Sequence, residues 1–202
     1  MIKSLIDNIQ LGQEPNSEHV SEVANVKPHL HKTPCCKQFN VVFLDIDGVL
    51  NTPQNAVERF EKWKAGTGKS RDEFGQLFCP KAVSNLEYLC HMANAKVVIS
   101  STWRRAGLAK MQTMFQMRDI KIDVIDVTPD LTRMGENGLW MATIRGEEIA
   151  EWLRNNQVDN YVIFDDDRDM LPEQLPFFVR TNFEDGLNWQ CMVSALKILM
   201  VK

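Results

Sequence analysis

Short, wholly apolar runs alternate along this chain with longer segments in which apolar residues recur every three or four positions. The first run, Val41-Val42-Phe43-Leu44, reads as a strand buried on both faces. Four more strands are predicted at Lys96-Val97-Val98-Ile99, Ile122 to Val127, Tyr161-Val162-Ile163-Phe164 and Phe177-Phe178-Val179-Arg180. Helical spacing falls between and after them. Pro80 opens a helix with the apolar face Ala82, Val83, Leu86, Leu89 and Cys90. Leu108, Met111, Met114, Phe115 and Met117 mark the next helix, and Arg145 to Leu153 another. A C-terminal helix carries Leu187, Cys191, Val193, Leu196, Leu199 and Met200. Helices in these places are the crossovers that parallel strands require.

The remaining segments are simpler. Ile2, Leu5, Ile6 and Ile9 form one stripe of a short amphipathic helix, and Gln13 to Gln38 is polar and proline-bearing, so residues 1–38 read as a helix and an irregular arm before a domain at 39–202. Within the arm, His29, His31, Cys35 and Cys36 are metal-ligand types, but their spacing fits no usual paired zinc pattern. The segment from Thr52 to Phe78 has a helical middle at Val57 to Trp63. It then reaches Ala65-Gly66-Thr67-Gly68-Lys69-Ser70, which ends like a phosphate-binding loop. Trp63 stands where that motif needs its first glycine, and a helix precedes it where the motif needs a strand, so a glycine turn between helical pieces is expected instead. Thr128 to Thr143 is turn-rich and too short for a substantial domain.

Composition narrows the class. With 202 residues, 44% hydrophobic and 25% charged, the chain suits one globular core. No apolar run approaches a membrane span, and charges interrupt the N-terminus where a signal peptide needs an apolar stretch. Five cysteines without regular spacing point to a reducing, cytoplasmic compartment. A net charge of −4 offers no bulk attraction to nucleic acid.

The chemistry is concentrated where strands end. Val41 to Leu44 stops at Asp45-Ile46-Asp47-Gly48; the second strand runs into Ser100-Ser101-Thr102-Trp103-Arg104-Arg105; the fourth ends in Asp165-Asp166-Asp167-Arg168-Asp169. A carboxylate at the end of a core strand needs a cation or a rim position, and in an open parallel sheet that rim is the usual ligand crevice. Side chains alternate along a strand, so only one of Ser100 and Ser101 can point inward. Arg104 could supply a guanidinium fork for phosphate.

FLDIDGVLN, VISSTWRR and FDDD together resemble the haloacid dehalogenase-like (HAD) superfamily, and the layout also looks like HAD domains of RNA repair proteins. The resemblance implies a HAD-like Rossmannoid α/β fold, a doubly wound parallel sheet of strand order 3-2-1-4-5 with little or no cap. It implies Asp45 as nucleophile and Asp47 as general acid/base, with Ser100 on a phosphoryl oxygen and Ser101 as the runner-up. Arg145 takes the place of the family's usual lysine, with Arg104 a further phosphate contact. Mg²⁺ would be held by Asp45, the Asp47 backbone carbonyl, Asp165 and Asp166. The implied activity is a Mg²⁺-dependent phosphatase working through an aspartyl phosphate. A site with little cap suits a macromolecular phosphate, and the acidic net charge tilts the expectation to a phosphoprotein, including phosphotyrosine, over a nucleic-acid 3′ or 5′ end or a non-catalytic phosphate-binding module. Lys62, Lys64, Lys69 and Arg71 form a local basic spot.

Overall fold

A computed structural model of the protein describes residues 39–134 and 138–200. The helix expected over 2–9, the arm and its histidines and cysteines lie outside the described residues.

Five parallel strands form the central sheet: β1 (Asn40–Leu44), β4 (Ala95–Ile99), β5 (Val124–Val127), β8 (Asn160–Asp165) and β9 (Phe178–Arg180). Their order is β5-β4-β1-β8-β9, which is 3-2-1-4-5 when these strands are counted along the chain. The crossovers are α2 (Pro80–Ala93), α3 (Leu108–Met117) and α4 (Arg145–Asn155), and α5 (Trp189–Met200) closes the chain.

Every residue of β1 is buried, because β1 is central and both faces are covered. One face places Val41, Phe43, Val98 and Ile163 against Ile149 and Trp152 of α4, with Phe43 and Trp152 meeting edge to face at 5.3 Å. The opposite side holds α2 and α5, which pack on each other and on β4 and β8. Fully burying such aliphatic side chains is worth roughly 1.5–3 kcal/mol each, so these layers fix the sheet before any polar group is considered.

The two intervals with room for a cap are filled by small elements. The first contains α1 (Pro53–Lys64) and a hairpin of β2 (Arg71–Asp72) with β3 (Gly75–Gln76); the second contains a hairpin of β6 (Arg133–Met134) with β7 (Trp140–Met141). The glycine turn after α1 therefore leads into a hairpin, not into another helical piece. Asp72 decides this: its carboxylate accepts from the Phe74 backbone N–H (2.9 Å) and receives a two-pronged bond from Arg118 (2.9 Å to each oxygen), which ties the turn to α3. Met117 also departs from expectation, being 61% exposed, because it follows the last inward turn of α3 set by Met111, Met114 and Phe115. The third strand starts at Val124 rather than Ile122.

Candidate active site

Parallel register brings the strand ends together. Leu44 of β1 pairs with Ile99 of β4 on one side and Phe164 of β8 on the other, so Asp45, Ser100 and Asp165 each stand one step past aligned residues. The Asp45 N–H continues the ladder to the Phe164 carbonyl at 3.0 Å, and the Ser100 N–H reaches the Leu44 carbonyl at 2.8 Å.

Asp45, Asp165 and Asp166 bring one carboxylate oxygen each within 4.8 Å of one another. Asp45 and Asp165 are buried and Asp166 is half-buried. Burial and, to a smaller degree, the Asp47 charge raise the Asp45 pKa to about 6, against the pull of a Ser101 hydroxyl hydrogen bond and the Arg145 charge. Burial and then the Asp45 charge raise Asp165 to about 8. Asp166 is raised as well, first by desolvation. This pocket is therefore short of positive charge. Three converging hard oxygen donors, two of them buried and resisting ionisation, fit a small divalent cation such as Mg²⁺.

The turn after β1 makes that convergence possible. The N–H groups of Leu50 and Asn51 both donate to the Ile46 carbonyl (2.8 and 2.9 Å), coiling the chain immediately after the first carboxylate. Gly48 sits at φ +72°, and a Cβ there would lie 2.4 Å from Asp166 Cγ, so only glycine lets the acidic loop come this close. The coil leaves Asp47 at an exposed position, where Oδ1 accepts from Asn51 Nδ2 (3.0 Å) and Oδ2 from Trp103 Nε1 (2.8 Å). The Asp47 side chain is thus outside the three-carboxylate cluster.

Of the two serines, Ser101 is the one beside Asp45, whose pKa its hydroxyl pulls down, and its Oγ accepts weakly from the Trp103 N–H at 3.5 Å. Ser100 is buried with its hydroxyl unpartnered. Arg145 begins α4, where its N–H donates to Asp169 Oδ2 at 2.8 Å, so the acidic loop caps the helix that carries the arginine. Its Nε is 3.6 Å from Asp165 Oδ2, forming an ion pair without a hydrogen bond, and that N–H is buried and unpartnered. Ser100 Oγ and Arg145 Nε are thus both buried donors without a hydrogen-bond partner, and of the two it is Arg145 Nε that stands beside Asp165.

Arg104 has a different setting from the phosphate fork expected of it. Nη1 donates to the Ser101 carbonyl (2.8 Å), while Nη2 meets Glu148 Oε1 at 2.5 Å and lies 3.9 Å from Asp130. Glu148, only 2% exposed, accepts from Arg145 Nη1 through its other oxygen at 3.0 Å and so bridges the two arginines. The sequence pattern alone gives Glu148 no role. It also assigns nothing to Trp103 or Asn51. The available signals were spacings: Glu148 lies three residues after Arg145 on a helix, and Asn51 four after Asp47.

A doubly wound sheet whose central strand ends in a carboxylate, with further acids and an arginine gathered at the same strand edge, defines a HAD-like domain. The family model described as the HAD domain in Swiss Army Knife RNA repair proteins matches residues 41–191, well over half of the chain, and the chain belongs to that family. No curated protein matches it.

Proposed function

We propose that the protein is a Mg²⁺-dependent phosphomonoester hydrolase acting on a nucleic-acid terminus. The observation that carries the hydrolase reading is the convergence of Asp45, Asp165 and Asp166 beside Arg145, whose buried Nε has no hydrogen-bond partner. Asp45, Asp165 and Asp166 would hold the cation, which when bound offsets the repulsion between anionic carboxylates and an anionic phosphate.

The remaining work falls to the chain's own groups. The Asp45 carboxylate attacks phosphorus and displaces the substrate oxygen, giving an aspartyl phosphate. Asp47 donates a proton to the departing oxygen and then takes one from the water that hydrolyses the acyl phosphate, returning both carboxylates to their starting state. Trp103 and Asn51 aim Asp47 from opposite oxygens. Arg145 and one serine hydroxyl bind the phosphoryl oxygens, with Glu148 holding the arginine in place. Arg104 supports Glu148 and the Ser101 carbonyl.

The RNA-repair setting named for the family moves the substrate reading from a phosphoprotein to a nucleic-acid phosphate end. Described residues contain no helix long and apolar enough to cross a membrane, and the three described cysteines, Cys79, Cys90 and Cys191, are free, which supports a reducing compartment. The test is phosphate release from p-nitrophenyl phosphate, phosphopeptides and 3′- or 5′-phosphorylated oligonucleotides with and without Mg²⁺. Release from oligonucleotides that is lost in Asp45→Asn supports the reading; turnover of phosphopeptides alone refutes the substrate, and Mg²⁺-independent turnover in Asp45→Asn refutes the mechanism.

A further inference from the structure

Helix α1 shows solvent a set of side chains that packing does not explain. Its inward contacts are polar: Asn55 Nδ2 donates to the Leu77 carbonyl (3.0 Å) and Arg59 Nη2 to the Phe78 carbonyl (2.8 Å). Val57, Phe60 and Trp63 recur at three-residue intervals and are 63%, 50% and 56% exposed. The rings of Phe60 and Trp63 lie 5.6 Å apart, tilted by 38°. Grouped aromatic surface of this kind marks a binding site more often than chance exposure does.

Charge adds a second observation. From Lys62 to Arg71 the chain carries four cations and no anion in ten residues, within a protein of net charge −4. Lys62, Lys64, Lys69 and Arg71 are all exposed. The turn keeps them together: the Thr67 N–H and hydroxyl both donate to the Lys62 carbonyl (2.9 and 3.1 Å), and Gly68 lies against Lys62, its Cβ position 3.5 Å from that of the lysine. Glu58 and Glu61, each two positions before a ring, leave the helix from another side.

The other end of α1 is fixed at the candidate active site. Thr52, buried, caps the helix by accepting from the Asn55 N–H at 3.2 Å, and the preceding Asn51 holds Asp47. From that end the twelve residues of α1 run about 18 Å along its axis, with Phe60, Lys62, Trp63 and Lys64 all in its second half.

We infer that Phe60 and Trp63, with Lys62, Lys64, Lys69 and Arg71, form a platform for single-stranded nucleic acid whose phosphorylated end lies at Asp45. Bases stack on the exposed rings irrespective of sequence, and the cations meet the strand's phosphates. A phosphopeptide would use the cations and has no general need of the rings. The position of the strand's end rests on the phosphatase reading; the platform rests on α1 alone.

The experiment uses the full chain, a fluorescein-labelled single-stranded RNA ending in a 3′-phosphate, and EDTA to prevent turnover. Phe60→Ala/Trp63→Ala is expected to weaken binding about tenfold or more. Lys64→Ala and Lys69→Ala are each expected to reduce the slope of log affinity against log salt by about 0.7. Hydrolysis of p-nitrophenyl phosphate with Mg²⁺ stays at the wild-type level in all these variants. Should the double ring variant not fold, Phe60→Leu/Trp63→Leu replaces it, with the lysine variants as an independent readout. Unchanged RNA affinity in the ring variants overturns the platform. So does a loss confined to phosphopeptide binding, or a dimer that dissociates in the ring variant while RNA affinity holds. RNA binding through these residues by a protein that with Mg²⁺ releases phosphate from neither p-nitrophenyl phosphate nor 3′- or 5′-phosphorylated oligonucleotides leaves the platform standing and removes the phosphatase reading; the reverse result removes the platform alone.

Discussion

Trp103 and Glu148 touch the proposed catalytic groups without being reactive themselves, and each makes a separate prediction. Trp103 Nε1 aims one oxygen of Asp47, and a hydrogen bond to a charged group is worth about 1.5–3 kcal/mol. Trp103→Phe should therefore lower kcat by roughly ten- to a hundredfold while KM changes little, as measured by steady-state hydrolysis of p-nitrophenyl phosphate. A rise in KM alone would mean the indole serves substrate binding. Glu148 is buried between two arginines, and removing one partner of a buried charge cluster costs about 3–5 kcal/mol. Glu148→Ala should lower the melting temperature by about 10 °C, and Glu148→Asp should restore more stability than activity, because Arg145 is then held in the wrong place. Equal recovery of both would make Glu148 structural only.

At the scale of elements, the Asp47–Asn51 coil and the acidic loop after β8 meet at one glycine. Gly48→Ala adds a Cβ within 2.4 Å of the Asp166 carboxyl, at a backbone angle that disfavours any side chain. The variant should fold, lose about 1–3 kcal/mol of stability and bind Mg²⁺ more weakly. Calorimetric titration with Mg²⁺ checks this, and wild-type affinity would show that Asp166 is not a ligand. The elements themselves were legible before their contacts were known. Each apolar run became a strand because burial on both faces demands continuous hydrophobicity, and Pro80 opened α2 as its fixed φ predicts. The hairpin at Arg71–Gln76 was not legible. What holds it is the bond from Arg118, forty-six residues away from Asp72, and local propensity carries no trace of that.

Across the whole molecule, the candidate site is held against its own electrostatics. Asp165, with a folded-state pKa of about 8, and Asp45, at about 6, both lie above the ordinary carboxylate value of about 4, so the folded chain binds protons more tightly than the unfolded one. Without divalent cations, stability should rise as pH falls from about 8 and level off near pH 4, where unfolded carboxylates also protonate. Melting curves in EDTA across that range test the sign. Added Mg²⁺ should raise the melting temperature most at the alkaline end, where the carboxylates are ionised and repel one another. Asp165→Asn should melt higher than wild type at pH 8 in EDTA and gain nothing from Mg²⁺. A variant that melts lower, or still responds to the cation, contradicts this account of the site.

Hydrophobic runs ending in acids and hydroxyls determined the strands, their parallel crossovers and Asp45, Asp47, Asp165 and Asp166 as candidates, because burial and strand polarity are written residue by residue along the chain; Arg145 was a candidate only through the family resemblance. Tertiary structure decided which of those groups meet. It put Asp45, Asp165 and Asp166 together, turned Asp47 toward Trp103, set Ser101 beside Asp45 and placed Arg104 on Glu148. Those outcomes depend on register between strands and on side chains crossing from one element to another, and no single segment contains both partners of such a contact.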